Sequence, residues 1–133
     1  MDGHSFLETV NGPRLAFFRH VPEVRIGLRT GLLWLGGFRS DMTGTKAVAL
    51  HEHAVRSGRP YVRFDYSGHG ASDGRFEDCT LSDWTADAER AFESLARGPT
   101  VLVGSSMGGH IALSLYRRLD GAARARVTGL LLL

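Results

Sequence analysis

One pentapeptide in this sequence has the residue types and spacing for nucleophilic chemistry, Gly104-Ser105-Ser106-Met107-Gly108. The pattern G-x-S-x-G is typical of a nucleophile elbow, in which a strained turn between a strand and a helix exposes the central serine hydroxyl. Ser106 would attack an acyl carbon to form a covalent intermediate. The backbone N–H of Met107 would donate a hydrogen bond to the oxyanion that forms.

The segments beside the pentapeptide favour this interpretation over a chance match. Residues 100–103 are a short apolar run of the kind that forms a buried strand, and residues 111–116 have the composition of a buried helix. A tight strand–helix connection without chemistry would also use glycine and serine. The strand–turn–helix context is nevertheless the one that the motif requires, so we predict Ser106 as the nucleophile.

Two further glycine patterns partly match known binding motifs, and neither match is complete. Gly104 and Gly109 fit the spacing of a phosphate-binding loop, but His110 stands where that loop requires Lys. Residues 68–73 begin like the dinucleotide-binding pattern G-x-G-x-x-G, but Asp73 occupies the last glycine position. We therefore expect no cofactor and no metal site.

Alternating strand and helix patterns would position the elbow. Residues 5–10 and 15–20 flank Asn11-Gly12, which predicts a β-hairpin closed by a type I′ turn. After it, the patterns run strand, helix, strand, helix, strand, helix, strand, and the last strand occupies residues 127–133, where the sequence stops. This order predicts an α/β fold with a doubly wound, mostly parallel sheet after an N-terminal hairpin, truncated in its sixth strand.

The predicted helices carry recognisable ends. A helix over residues 43–56 would be capped by Thr43 or Thr45 and end at Gly58. Its two histidines, at 51 and 53, point to different sides, which is poor spacing for a metal, and we interpret them as surface residues. A second helix begins at a capping box formed by Thr80 and Asp83.

Composition limits the classes of protein and partner. The chain has 133 residues, about one domain, and a net charge of only +2 with its basic residues dispersed, so we expect no nucleic-acid partner. No apolar run is long enough for a membrane span, and no secretory signal is evident.

The lone cysteine, Cys79, indicates a reducing compartment, and Lys46 is the only lysine, a bias that suggests a GC-rich bacterium. These observations predict a bacterial cytoplasmic protein.

Residues 104–109, 64–74 and 43–47 together resemble the α/β-hydrolase family, above all the mitochondrial palmitoyl-protein thioesterases, also described as acyl-glucuronide esterases, and their bacterial relatives. The stretch D-Y-S-G-x-G-x-S-D-G at residues 65–74 makes the resemblance specific. It implies an α/β-hydrolase fold and a serine esterase or thioesterase, with Ser106 as nucleophile. The implied substrates are small-molecule acyl esters or thioesters, with acylated proteins as a further class.

In this family the second oxyanion donor comes from the loop that follows an early central strand. Residues 31–35 predict that strand, and Gly36-Gly37-Phe38 follow it. We assign the donor to the Phe38 N–H, with Gly37 as the alternative, and expect both residues to contact substrate. Taken alone, this segment would be a simple turn before a helix, and its position relative to the elbow favours the functional interpretation.

The triad that the family uses cannot be assembled from these residues. The expected chain order is Ser, then Asp or Glu, then His. After Ser106 the only candidates are His110 and Asp120, in the wrong order, while His69 precedes the nucleophile and is expected to be structural or to line the pocket. We therefore expect residues 1–133 to be the N-terminal part of one α/β-hydrolase domain. A non-catalytic binding module and a non-functional fragment are the alternatives.

Overall fold

The computed structural model describes residues 3–23 and 29–133 and contains one mixed sheet flanked by helices. The strands are β1 Ser5–Leu7, β2 Leu15–His20, β3 Gly31–Leu35, β4 Tyr61–Phe64, β5 Thr100–Gly104 and β6 Val127–Leu132, in the spatial order β1-β2-β4-β3-β5-β6. The helices are α1 Thr45–Ser57, α2 Leu81–Ser94, α3 Met107–Arg118 and α4 Gly121–Ala125, with a short 3₁₀ helix at Phe76–Asp78.

The sheet has the mostly parallel, doubly wound arrangement that the sequence predicts. β1 and β2 pair antiparallel, as do β2 and β4, whereas β3, β4, β5 and β6 run parallel. Helices α2 and α3 cover one face through the buried side chains of Trp84, Phe92, Ile111 and Leu115. Helix α1 covers the other face through Ala47 and Ala54. No helix among the described residues has the length and apolar character to cross a bilayer.

The predicted helix ends are confirmed for α2 and are partly wrong for α1. At α2 the Thr80 hydroxyl accepts a hydrogen bond from the Asp83 N–H at 3.2 Å, and the Asp83 carboxylate accepts one from the Thr80 N–H at 2.8 Å. Gly58 ends α1 in the left-handed conformation, as predicted. The predicted threonine cap of α1 is wrong, because Gly44 occupies the N-cap position and makes no side-chain cap.

The N-terminal hairpin is confirmed, but its tight turn is not. Leu7 pairs with Leu15, so residues 8–14 form a loop much longer than a two-residue type I′ turn. Gly12 does not take the positive φ that such a turn needs. Pro13 explains the difference, since it lacks the N–H donor that a strand would need to resume pairing directly after the glycine. The sequence predicts a polar connection over residues 22–29 after the hairpin, and residues 24–28 of it lie outside the described residues.

Strand β6 lies at one edge of the sheet and presents apolar side chains to solvent. Among the described strands it pairs only with β5. The exposed fractions of Leu130, Leu131 and Leu132 are 39%, 46% and 52%. An apolar edge strand without charged side chains is a template for pairing with another chain.

We expect the isolated 133-residue chain to self-associate through this edge at low micromolar concentration. Each exposed leucine forgoes part of the roughly 1.5–3 kcal/mol that full burial contributes. Sedimentation velocity should show oligomers, and Leu131→Lys should shift the distribution toward monomer, because a lysine on an edge strand disfavours edge-to-edge pairing. A cooperatively folding monomer in the unsubstituted chain would contradict this expectation.

Candidate functional site

Ser106 lies in a strained turn between the end of β5 and the beginning of α3. Its φ of 56° and ψ of −119° fall where non-glycine residues are rarely found. The backbone around it is held by hydrogen bonds, from the Ser106 N–H to the Leu133 carbonyl at 3.1 Å and from the Ser105 N–H to the Leu35 carbonyl at 3.0 Å. Ser106 is exposed to solvent. This is the backbone geometry that a nucleophile elbow requires.

Two glycines let the strand end and the helix start approach closely. A Cβ added at Gly104 would lie 2.6 Å from the Gly108 carbonyl carbon, and one added at Gly108 would lie 2.6 Å from the Leu35 carbonyl carbon. Real Cβ atoms do not approach backbone this closely, so only glycine fits either position. The turn at Ser106 is therefore enclosed by two close backbone contacts, one at Gly104 and one at Gly108.

The loop after β3 borders the elbow. A Cβ added at Gly37 would lie 3.5 Å from the Ser106 Cβ. Phe38 follows on the same loop and is 55% exposed, and its ring packs edge-on against Phe76 at a centroid distance of 5.1 Å. The structure thus brings the loop of Gly37 and Phe38 beside Ser106 and Met107, the four residues that the sequence assigns to the site.

Arg39, the next residue of this loop, was not singled out by the sequence. Its φ of 58° is left-handed, which is uncommon for a residue with a side chain. Its backbone N–H donates a hydrogen bond to Nε2 of His69 at 3.2 Å, and its guanidinium carbon lies 4.4 Å from the centre of the Phe76 ring. An open cleft of about 370 Å³ is lined by Arg39, Gly68, His69, Phe76 and Glu77.

The loop after β4 is held by two buried carboxylates. Asp65 is 3% exposed, and its carboxylate accepts hydrogen bonds from the N–H groups of Met42 at 2.8 Å and Ala71 at 2.9 Å. Burial raises the pKa of Asp65, while the same two hydrogen bonds oppose that shift. Asp87 on α2 is also buried and accepts from the Ser67 N–H at 2.7 Å. Sequence reasoning missed both roles, although an aspartate directly after a buried strand was a usable signal.

The two polar candidates that follow Ser106 are both exposed. His110 is exposed on α3, and Asp120 caps α4 by accepting from the Ala123 N–H at 2.9 Å. Among the described residues Ser106 Oγ has no hydrogen-bond partner. Of the two histidines predicted to be surface residues, His53 is exposed, whereas His51 is partly exposed and accepts a hydrogen bond from Arg63 Nε at 3.1 Å. Burial lowers the pKa of His51.

Comparison with known proteins gives consistent matches. The family described as "Alpha/beta hydrolase family" matches residues 12–133. The chain is 44% identical over 105 residues to the mitochondrial palmitoyl-protein thioesterase ABHD10 of Bos taurus, a match that covers 79% of this chain and 33% of that protein. The Homo sapiens protein of the same name is 41% identical over 109 residues, with 82% of this chain and 34% of that protein covered.

A solved structure agrees with these matches. The alpha/beta hydrolase domain-containing protein 10 from mouse superposes with a TM-score of 0.86 and 35% identity, over 98% of this chain and 49% of that chain. The chain therefore spans about a third of the length of the curated relatives and about half of the solved one. The resemblance seen in the motifs and the predicted fold class are both confirmed.

The curated relatives contradict the predicted bacterial cytoplasmic location. Their names describe mitochondrial proteins of mammals. The prediction depended on a lone cysteine and a low lysine content. A lone cysteine fits any reducing compartment, so it could not select the bacterial cytoplasm.

Proposed function

This chain belongs to the alpha/beta hydrolase family, and from that premise we propose that the protein hydrolyses esters or thioesters through an acyl-enzyme on Ser106. The observation that carries the proposal is the backbone of Ser106, held at φ 56° and ψ −119° between β5 and α3. A turn this strained persists only where the surroundings impose it, and such turns concentrate at functional sites. The names of the curated relatives support acyl thioesters as substrates, acylated proteins among them, and support a mitochondrial location.

The proposed mechanism is acyl transfer in two steps. Ser106 Oγ attacks the carbonyl carbon and loses its proton to a base, and the carbonyl oxygen becomes an oxyanion. The N–H groups of Met107 and Phe38 donate hydrogen bonds to that oxyanion, and the positive end of α3 favours its charge. Collapse expels the alcohol or thiol, which takes up a proton, and a water molecule then releases the acid and restores the serine.

We propose that residues 1–133 form the N-terminal part of one such domain, and we call the protein that contains the whole domain the full-length protein. Two observations support this proposal. The chain spans about a third of its curated relatives, and within the described residues Ser106 Oγ has no hydrogen-bond partner. The second observation also fits a non-catalytic binding module, because a serine without a base is a weak nucleophile.

Covalent labelling of Ser106 by a fluorophosphonate tests these proposals. The full-length protein should be labelled at Ser106 rapidly and with one probe per chain. The isolated 133-residue chain should react at a much lower rate, because among its described residues no base contacts Ser106 Oγ. Peptide mapping by mass spectrometry identifies the labelled residue. Rapid labelling of the 133-residue chain would show that it contains a base, and an unlabelled, folded full-length protein would favour the binding module.

A further inference from the structure

We infer that His69 is a positioning residue for the oxyanion hole, because it holds the peptide group that follows Phe38. Its Nε2 accepts a hydrogen bond from the Arg39 backbone N–H at 3.2 Å. The Phe38 amide, one residue earlier, is the proposed donor to the oxyanion. This inference rests on the proposed function of Ser106 and adds a residue that acts on the oxyanion through the loop of Phe38.

The hydrogen bonds of His69 define its tautomer. A backbone N–H can only donate, so Nε2 must carry the lone pair that receives it. The ring hydrogen therefore lies on Nδ1, which donates to the Ser67 carbonyl at 3.1 Å. The residue is 4% exposed and packs edge-on against the rings of Trp84 and Phe76, at centroid distances of 5.1 and 5.3 Å. His69 is thus a buried, neutral bridge between two loops.

The loop that His69 holds needs such support. Arg39 has a left-handed φ of 58°, a conformation that a residue with a Cβ adopts only when its surroundings impose it. On the other side of Phe38, the Tyr66 hydroxyl donates to the Gly36 carbonyl at 3.0 Å. The loop is therefore anchored both before and after Phe38, in each case by a residue of the segment that follows β4.

That segment is itself fixed to helix α2. The Ser67 carbonyl, which receives the His69 hydrogen, also accepts from Trp84 Nε1 at 3.0 Å. The Ser67 N–H donates to the buried carboxylate of Asp87 at 2.7 Å. A continuous set of hydrogen bonds therefore runs from α2 through Ser67 and His69 to Arg39. An oxyanion donor held in this way is preorganised for the transition state.

A pair of amide substitutions separates the two hydrogen bonds of His69. In His69→Asn the shorter amide can still donate to the Ser67 carbonyl, but nothing reaches the Arg39 N–H. In His69→Gln the longer amide can present its oxygen to the Arg39 N–H and loses the donor to Ser67. The full-length protein is assayed with a chromogenic acyl ester, and active sites are counted by fluorophosphonate titration.

We expect His69→Asn to lower kcat per active site by ~10–100-fold with KM changed by less than about 3-fold, because displacing a transition-state donor affects turnover more than binding. His69→Gln should retain kcat within about 5-fold of the unsubstituted protein. A purely structural histidine would instead lower the fraction of active sites in both variants and leave kcat per site unchanged.

Three results would overturn the inference: equal kcat loss in both variants, unchanged kcat in His69→Asn, or a loss confined to the number of active sites. If the unsubstituted full-length protein shows no activity that depends on Ser106, the proposed function fails and the inference fails with it. Because both variants keep one polar partner in the buried site, both are expected to fold, and thermal unfolding of each verifies this.

Discussion

Replacing Ser106 with alanine in the full-length protein should lower the turnover of an acyl ester or thioester by ~10⁴–10⁶-fold, as removal of a triad nucleophile does. The acyl-enzyme cannot form without the hydroxyl, and only transition-state binding by the oxyanion donors would remain. Steady-state kinetics on a chromogenic ester, with enzyme concentrations high enough to detect the residual rate, measures the effect.

Ser105→Ala is the matched control, since it removes a hydroxyl from the neighbouring residue. Ser105 Oγ lies 3.5 Å from Lys46 Nζ and does not occupy the centre of the turn. We expect this variant to keep most of its turnover. Equal losses from the two substitutions would contradict the assignment of Ser106, and a large loss from Ser105→Ala alone would move the nucleophile to that residue.

Replacing Gly108 with alanine should destabilise the full-length protein by at least ~2 kcal/mol, within the range seen for overpacking and backbone strain. The new Cβ would lie 2.6 Å from the Leu35 carbonyl carbon and 2.8 Å from the Gly36 carbonyl oxygen. Both are backbone atoms, so relief requires a shift of β3 or α3 rather than a side-chain rotation. Urea unfolding followed by far-UV circular dichroism measures the change in midpoint.

The adjacent glycine provides the control for this prediction. A Cβ added at Gly109 would meet Leu132 Cδ2 at 3.5 Å, an ordinary van der Waals distance. Gly109→Ala should therefore leave stability unchanged or raise it by up to ~1 kcal/mol, because alanine favours a helix over glycine. If Gly108→Ala unfolds at the same urea concentration as Gly109→Ala, then α3 and the end of β3 are not in the close contact described above.

Displacing the end of β3 should also affect the proposed chemistry. Gly36 and Gly37 follow directly from Leu35, so a shift of β3 would move the loop that carries the Phe38 amide, whereas a shift of α3 would move the Met107 N–H at its first residue. We therefore expect the folded fraction of Gly108→Ala to have a reduced kcat. The same measurement on Gly109→Ala should show the unsubstituted rate.

Much of the architecture could be predicted from short-range patterns. The apolar run before Gly104 and the G-x-S-x-G spacing predicted a strand, a turn and a helix, and the structure has β5, a strained Ser106 and α3 in that order. The capping box at Thr80 was also predictable, because its two hydrogen bonds join residues three apart. Such features depend on the local chain, and their physical causes can be recognised in the sequence.

Several details depended on which segments the fold brings together. The hydrogen bond from Arg39 to His69 joins residues 30 apart, and it forms because β3 and β4 are adjacent in the sheet. Asp87 reaches the Ser67 N–H only because α2 packs beside the end of β4. The partly buried His51 likewise receives its partner, Arg63, from a neighbouring strand. No local periodicity encodes these pairings, because each requires the packed sheet and helices to place two distant backbone segments within hydrogen-bonding distance.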